Sequence, residues 1–225
     1  MQIQQQATDQ SNAIDLMINM GPQHPSTHGV FRLLIWVDGE RIVRSEPHIG
    51  YLHRGSEKLA EERTYTQIVT LTDRLDYTSS MINNQAYCLG VEQLLGVEAP
   101  PRAKYMRTLS SELQRIASHL MGIGFFLQDL GTLGTPLMYC FRTRERILDL
   151  FEMLCGARIT VSYMRPGGVL QDPPEDFWPA LDVLMQDMPG YIDELEGLIS
   201  ENEVVLVRTR NVGILTDEHA VNASA

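Results

Sequence analysis

PRAKYMRTLSSELQRIASHLMGIGFFL, residues 101–127, decides the fold class. Leu109, Leu113, Ile116, Leu120 and Ile123 advance by four, three, four and three, the period of a helix with one buried face, and Pro101 stands where a first-turn proline belongs. A second helix is predicted from Ile147, Leu150, Phe151 and Leu154, ending at Gly156. A third follows Pro173-Pro174, with Glu175 and Asp176 in its first turn and Trp178, Leu181, Leu184 and Met185 as its apolar stripe. Upstream the pattern is different. The stretches 31–37 and 41–44 flank Asp38-Gly39, a strong short hairpin signal. From Ser56 onward the pattern is helical. The expected class is therefore α+β, a small amino-terminal antiparallel sheet packed on a mainly α-helical bundle. Its regions are a polar, Gln-rich stretch over 1–14, expected as a flexible arm or as an extended segment that orders only on a partner, a small β domain over 15–55, and a helical domain over 56–225.

The chain has 225 residues, 44% of them hydrophobic, enough for a substantial core. No apolar run approaches the roughly 20 residues of a membrane span. The best stretch, 120–127, is short and holds Gly122 and Gly124. The first residues lack the basic and apolar regions of a secretory signal, so the chain is expected to stay where it is made. Cys88, Cys140 and Cys155 stand far apart, which argues against a disulfide scaffold or a cluster held by this chain alone, and they read as small buried hydrophobes. A net charge of −11 opposes nucleic-acid binding. The acid excess is concentrated from residue 170 on, with 2 basic and 12 acidic residues there.

The stretch Gly21-Pro22-Gln23-His24-Pro25-Ser26-Thr27-His28-Gly29 at the entry of the hairpin can be neither helix nor ladder strand. Its prolines stiffen the backbone that carries His24 and His28, as a proton-handling or ligand-binding site requires; histidines that satisfy backbone carbonyls are the alternative. The spacing of four would converge on a metal only in a helix, which Pro25 and the flanking glycines deny, so no metal site is expected.

Further motifs follow in order: Tyr51-Leu52-His53-Arg54-Gly55-Ser56-Glu57-Lys58, Asp73-Arg74-Leu75-Asp76-Tyr77, Glu112 to Leu120, Arg144 to Glu152, and Arg165-Pro166-Gly167-Gly168-Val169. With the histidine loop they closely resemble the amino-terminal part of the 49 kDa (D) subunit of respiratory complex I, the proton-pumping NADH:quinone oxidoreductase. The resemblance runs from about Ile18 to the last residues. It implies a place in the peripheral arm, at the cytoplasmic side of a bacterial inner membrane or the matrix side of a mitochondrial one. Implied partners are the subunit carrying the terminal iron–sulfur cluster, other peripheral-arm subunits and membrane-arm subunits. Family members continue past residue 225, so the helical domain is expected to be truncated at its carboxy end.

The resemblance also implies site residues. Tyr77 and His28, with His24 nearby, bind the quinone headgroup, which is the substrate; a core tyrosine remains the alternative for Tyr77. Asp129 pairs with His28, and burial at the end of a long apolar helix would itself demand a donor partner, although helix capping near Gly131 is compatible. Arg54 and Arg74 lie near the partner's iron–sulfur cluster, and NAD is used by the assembly only. No G-x-G-x-x-G stands after a strand. One departure is Thr160, where several members carry a histidine.

The family's fold is similar to the nickel–iron hydrogenase large subunit, but Asp76 and Ser79 stand where thiolates would ligate metal, and a hydroxyl cannot replace a soft ligand. Two rivals remain: a hydrogenase-like metal enzyme, and a catalytically silent structural fragment of the assembly.

Overall fold

The computed structural model describes residues 2–7 and 14–224. The protein is α+β, and it divides into two units, Met1–Glu62 and Arg63–Ala225, so the helix that begins at Ser56 belongs with the first.

The first unit is a four-stranded antiparallel meander, β1 (Gln2–Ala7), β2 (Ile14–Met20), β3 (Arg32–Asp38) and β4 (Arg41–His48), in sequence order, followed by α1 (Ser56–Glu61). The expected hairpin is β3–β4. Asp38 pairs with Arg41, and Gly39 takes φ +60°, the sign that a primed two-residue turn needs. Of the segment expected as a flexible arm, Gln2–Ala7 is instead a strand, with Gln2 opposite Asn19 and Ala7 opposite Ile14. A ladder satisfies backbone groups whatever the side chains, which is why polar composition misleads there. Residues 8–13 lie outside the described residues.

The second unit carries α2 (Tyr65–Thr72), α3 (Ser80–Leu95), α4 (Pro101–Asp129), α5 (Thr135–Cys155), a two-stranded hairpin of β5 (Met164–Arg165) and β6 (Gly168–Val169), α6 (Phe177–Ile199), α7 (Glu203–Thr209) and α8 (Asp217–Ala223). The long helix is buried along Ala103, Met106, Ser110, Leu113, Ala117, Leu120, Gly124 and Leu127, a stripe richer in small residues than the bulky positions indicate. Ile123 is exposed. At Gly124 a β-carbon would lie 2.9 Å from Leu137 Cδ1 and 3.2 Å from Cys140 Cβ, so a side chain there would require Leu137 and Cys140 to shift, and α4 and α5 approach closely. On α6 the buried residues are Phe177, Leu181, Leu184 and Met188; Trp178 and Met185, expected on that stripe, face outward. Cys88 and Cys140 are buried and Cys155 is half-buried, and burial pushes the Cys88 thiol up to about 11.

One buried ion pair ties α3, α4 and the short hairpin together. Arg107 pairs with both carboxylate oxygens of Glu92, with side chains 3% and 8% exposed. Its remaining N–H groups donate to the carbonyls of Arg165 (2.8 Å) and Gly168 (2.9 and 3.1 Å), while Glu92 also accepts from the Gly167 N–H at 2.7 Å. Hydrogen bonds from Arg107 outweigh burial and hold the Glu92 carboxyl below its ordinary value. The stability this contributes is present above the ordinary carboxylate range and lost as pH falls through the lowered pKa. Glu92→Gln removes the charge and leaves a buried guanidinium, so it should cost about 3 kcal/mol. The check is a urea midpoint that falls with unchanged slope; a loss below about 1 kcal/mol would show that the pair does not hold the hairpin.

Candidate functional site

The histidine loop is stitched from within. Thr27, 2% exposed, donates its hydroxyl to the carbonyls of His24 (2.8 Å) and Gly21 (3.2 Å). Its N–H donates to the His24 carbonyl at 3.0 Å, and the Gln23 N–H reaches the Gly29 carbonyl at 2.9 Å. This closes a short 3-10 turn over Pro25–Thr27. His28 follows at φ +51° and is exposed, its imidazole without a hydrogen bond among the described residues. His24 is half-buried with its polar contacts engaged. The loop is thus a locked backbone that presents one free imidazole. Arg54, also in this unit, is exposed and engaged.

In the second unit the turn between α2 and α3 carries the other candidates. Its backbone is fixed by Ser80, whose buried hydroxyl lies 2.7 Å from the Asp73 carbonyl and 3.2 Å from that of Tyr77. The Thr78 carbonyl accepts from Gln114 of α4 at 2.6 Å, and the Ser79 and Ser118 hydroxyls meet at 3.2 Å. Tyr77 projects from this turn with 59% of its surface exposed and its hydroxyl unbonded among the described residues. It is no core tyrosine. Asp76 accepts from the Thr78 N–H (3.1 Å) and hydroxyl (2.7 Å); burial pushes its carboxyl up, but the bonds from Thr78 and Ser79 together outweigh burial and hold it low. Among the described residues no three His, Cys, Asp or Glu side chains gather as a metal site.

Asp129 is the last residue of α4, eleven residues and therefore about 16 Å along the helix from Ser118. It is exposed, and its carboxylate has no partner among the described residues. The burial expected of Asp129 is not seen, because the buried stripe ends at Leu127 and Asp129, two residues on, lies off that face. The helix end is capped instead by Arg208, which donates to the Leu130 carbonyl at 2.9 Å. Arg74 and Tyr77 thus share one turn, Asp129 stands apart in the same unit, and His24, His28 and Arg54 belong to the other.

A model of the family described as respiratory-chain NADH dehydrogenase, 49 Kd subunit, matches residues 129–225. The D subunit of the NADH-quinone oxidoreductase of Dehalococcoides mccartyi (strain ATCC BAA-2100 / JCM 16839 / KCTC 5957 / BAV1) is 59% identical over 211 residues, 94% of this chain and 58% of that protein. Its counterpart in Roseiflexus sp. (strain RS-1) is 55% identical over 210 residues, 93% of this chain and 56% of that one. The counterpart in Sinorhizobium medicae (strain WSM419) is 51% identical over 211 residues, 94% and 52% respectively. The chain belongs to the 49 kDa subunit family. It spans between 52% and 58% of the length of these relatives.

Within this member of the 49 kDa family, one group beside Tyr77 escapes sequence reasoning. Asp73 is 4% exposed, its Oδ1 has no hydrogen-bond partner, and Arg74 Nε lies 3.8 Å away, beyond bonding distance. Burial raises its pKa; the charges of Arg74 and Arg165 oppose burial without overcoming it. Two further buried polar atoms, Asn84 Nδ2 and Gln114 Oε1, lack protein partners on α3 and α4. The sequence signal was a polar residue inside a buried stripe, and it does not say which group is left unpaired. A raised carboxyl contributes stability below its unfolded pKa that is lost as pH rises through the folded one. Asp73→Asn should therefore melt higher than the parent at neutral pH, with the difference closing below about pH 4. Melting curves across pH test it, and a variant that melts lower throughout would mean that the carboxylate is stabilised by a partner.

Proposed function

We propose that this chain is a subunit of a proton-translocating NADH:quinone oxidoreductase, complex I of a respiratory chain, and forms part of the quinone-reduction chamber beside the terminal iron–sulfur cluster of a partner subunit. The observation that carries the reading is the phenol of Tyr77, exposed and unbonded on a turn whose backbone is fixed by Ser80 and Gln114. The relatives are named as components of NADH-quinone oxidoreductase, and that name supplies the class of reaction.

A quinone carbonyl that gains electrons needs hydrogen-bond donors, and its reduced form needs two protons. Tyr77 offers a neutral donor. His28 offers a second from its imidazole. His24 supports the headgroup from the same loop, and Asp129 pairs with His28 to hold its tautomer. Arg54 and Arg74 place positive charge toward the partner's cluster, which favours that cluster's reduced form. The chain itself holds no metal and no nucleotide; NAD is consumed elsewhere in the assembly, and the partners are the cluster-bearing subunit with its peripheral-arm and membrane-arm neighbours. No helix among the described residues is long and apolar enough to cross a membrane, which suits a peripheral position on the cytoplasmic face of a bacterial inner membrane. A hydrogenase-like centre finds no support at Asp76 or Ser79, whose oxygens are engaged by Thr78 and Ser118.

Tyr77→Phe keeps the ring and deletes the hydroxyl. In the assembled oxidoreductase it should lower quinone turnover, or raise the KM for quinone, about tenfold while leaving electron transfer from NADH to an artificial acceptor intact. The measurement is the ratio of the two activities on one preparation. An unchanged ratio would remove Tyr77 from the headgroup.

A further inference from the structure

Beside its buried face, α6 has a second pattern. Trp178, Met185 and Ile192 recur every seven residues and are 39%, 53% and 50% exposed. Asp182, Pro189 and Glu196 recur at the same spacing, four residues after each, and all three are exposed. The two series make one stripe, a heptad seam about 27 Å long, which lies about a quarter turn around the helix from the buried Phe177, Leu181, Leu184 and Met188. The lateral acids are spoken for: Glu194 pairs with Arg142, and Asp187 lies 3.7 Å from Arg146 of α5. The acids along the seam are not, since the side chains of Asp182, Asp193 and Glu196 have no hydrogen bond or ion pair among the described residues. Pro189 adds to this. It has no N–H, so the Met185 carbonyl loses its donor one turn later, on the exposed side. The seam therefore offers apolar knobs and acceptors, with carboxylates and a backbone carbonyl but no cation.

We infer that this face of α6 is a docking surface for a basic amphipathic helix of another polypeptide, which seats apolar residues against Trp178, Met185 and Ile192 and aims lysines or arginines at Asp182, Asp193 and Glu196. Complementary charge selects that occupant. A second copy of this chain would bring the same acids against themselves, and each copy carries a net charge of −11. A tryptophan, a methionine and an isoleucine on every second turn of one seam leave aligned apolar surface that a partner would cover. The inference does not depend on the quinone reading, since it uses no residue of that site.

The test places a photocrosslinking phenylalanine derivative at position 185 of the full chain, expressed in its own cells, and identifies the crosslinked peptide by mass spectrometry. The expected product joins position 185 to one segment of a different polypeptide, net positive and apolar at a three–four spacing. Its yield should fall about tenfold in Asp182→Lys/Glu196→Lys, and less in Asp182→Asn/Glu196→Gln, at unchanged helix content by circular dichroism. A crosslink within this chain or to a second copy, a partner segment without positive charge, a yield indifferent to the charge reversal, or no crosslink at all would each overturn it.

Discussion

The Glu92–Arg107 pair is the constraint on which the second unit depends. A carboxylate and a guanidinium both removed from water gain little over well-packed apolar residues of the same volume, so their value lies in what they specify. Arg107 has more N–H groups than Glu92 can accept, and the surplus finds the carbonyls of Arg165 and Gly168. Only one placement of the β5–β6 hairpin satisfies that demand. The same placement brings the charge of Arg165 to bear on Asp73, at the turn that carries Arg74 and Tyr77. A clamp between α3 and α4 thus sets the electrostatics of a turn at the other end of α3. Tyr163 and Gln171 fix the flanks of the hairpin segment, the first by donating to the Gln171 carbonyl at 2.7 Å and the second by donating to the Leu154 carbonyl at 3.0 Å.

Close approach of α4 and α5 is the second constraint. Ser110, Ala117 and Gly124 are seven apart on one face, so a groove of small residues runs along α4. Bulky residues of α5, including Ile147, Phe151 and Leu154, are fully buried in the same core. Packing at this distance turns α4 into a rigid ruler. Arg107, Gln114, Ser118 and Asp129 occupy fixed positions along it, the first three engaged with α3 or its preceding turn and the last free at the end.

The helices and the hairpin were legible because their signals are local. Pro101, Gly156 and Gly39 stand where backbone geometry requires them, and the apolar period survives any single exception. The side-chain site was legible only as far as its loop chemistry: prolines and glycines mark the histidine loop, but nothing in its composition announces Thr27, whose buried hydroxyl closes it. Glu92, Arg107 and Asp73 were missed for a related reason. A polar residue on a buried face reads the same whether it finds a partner, as Glu92 does, or lacks one, as Asp73 Oδ1 does. Asp129 and Met185 differ in the opposite sense, because each stands one or two residues past a buried residue, Leu184 or Leu127, on a side of its helix that is not covered.

His28 and Tyr77 share a local design although they belong to different units. In each case a small hydroxyl residue, Thr27 or Ser80, is buried and spends its hydrogen bonds on the neighbouring backbone carbonyls. The turn keeps its shape without help from the imidazole or the phenol, and those groups project outward with their donors uncommitted. Rotational freedom of the backbone is lost at folding rather than on binding, so a ligand that met either group would order only a side chain. A tyrosine held by packing would lack this property, since its hydroxyl would already be bonded to the interior, as Tyr163 is to Gln171. The two tyrosines of one unit differ in this way: the Tyr163 hydroxyl is spent on a backbone carbonyl of its own unit, and the Tyr77 hydroxyl is not.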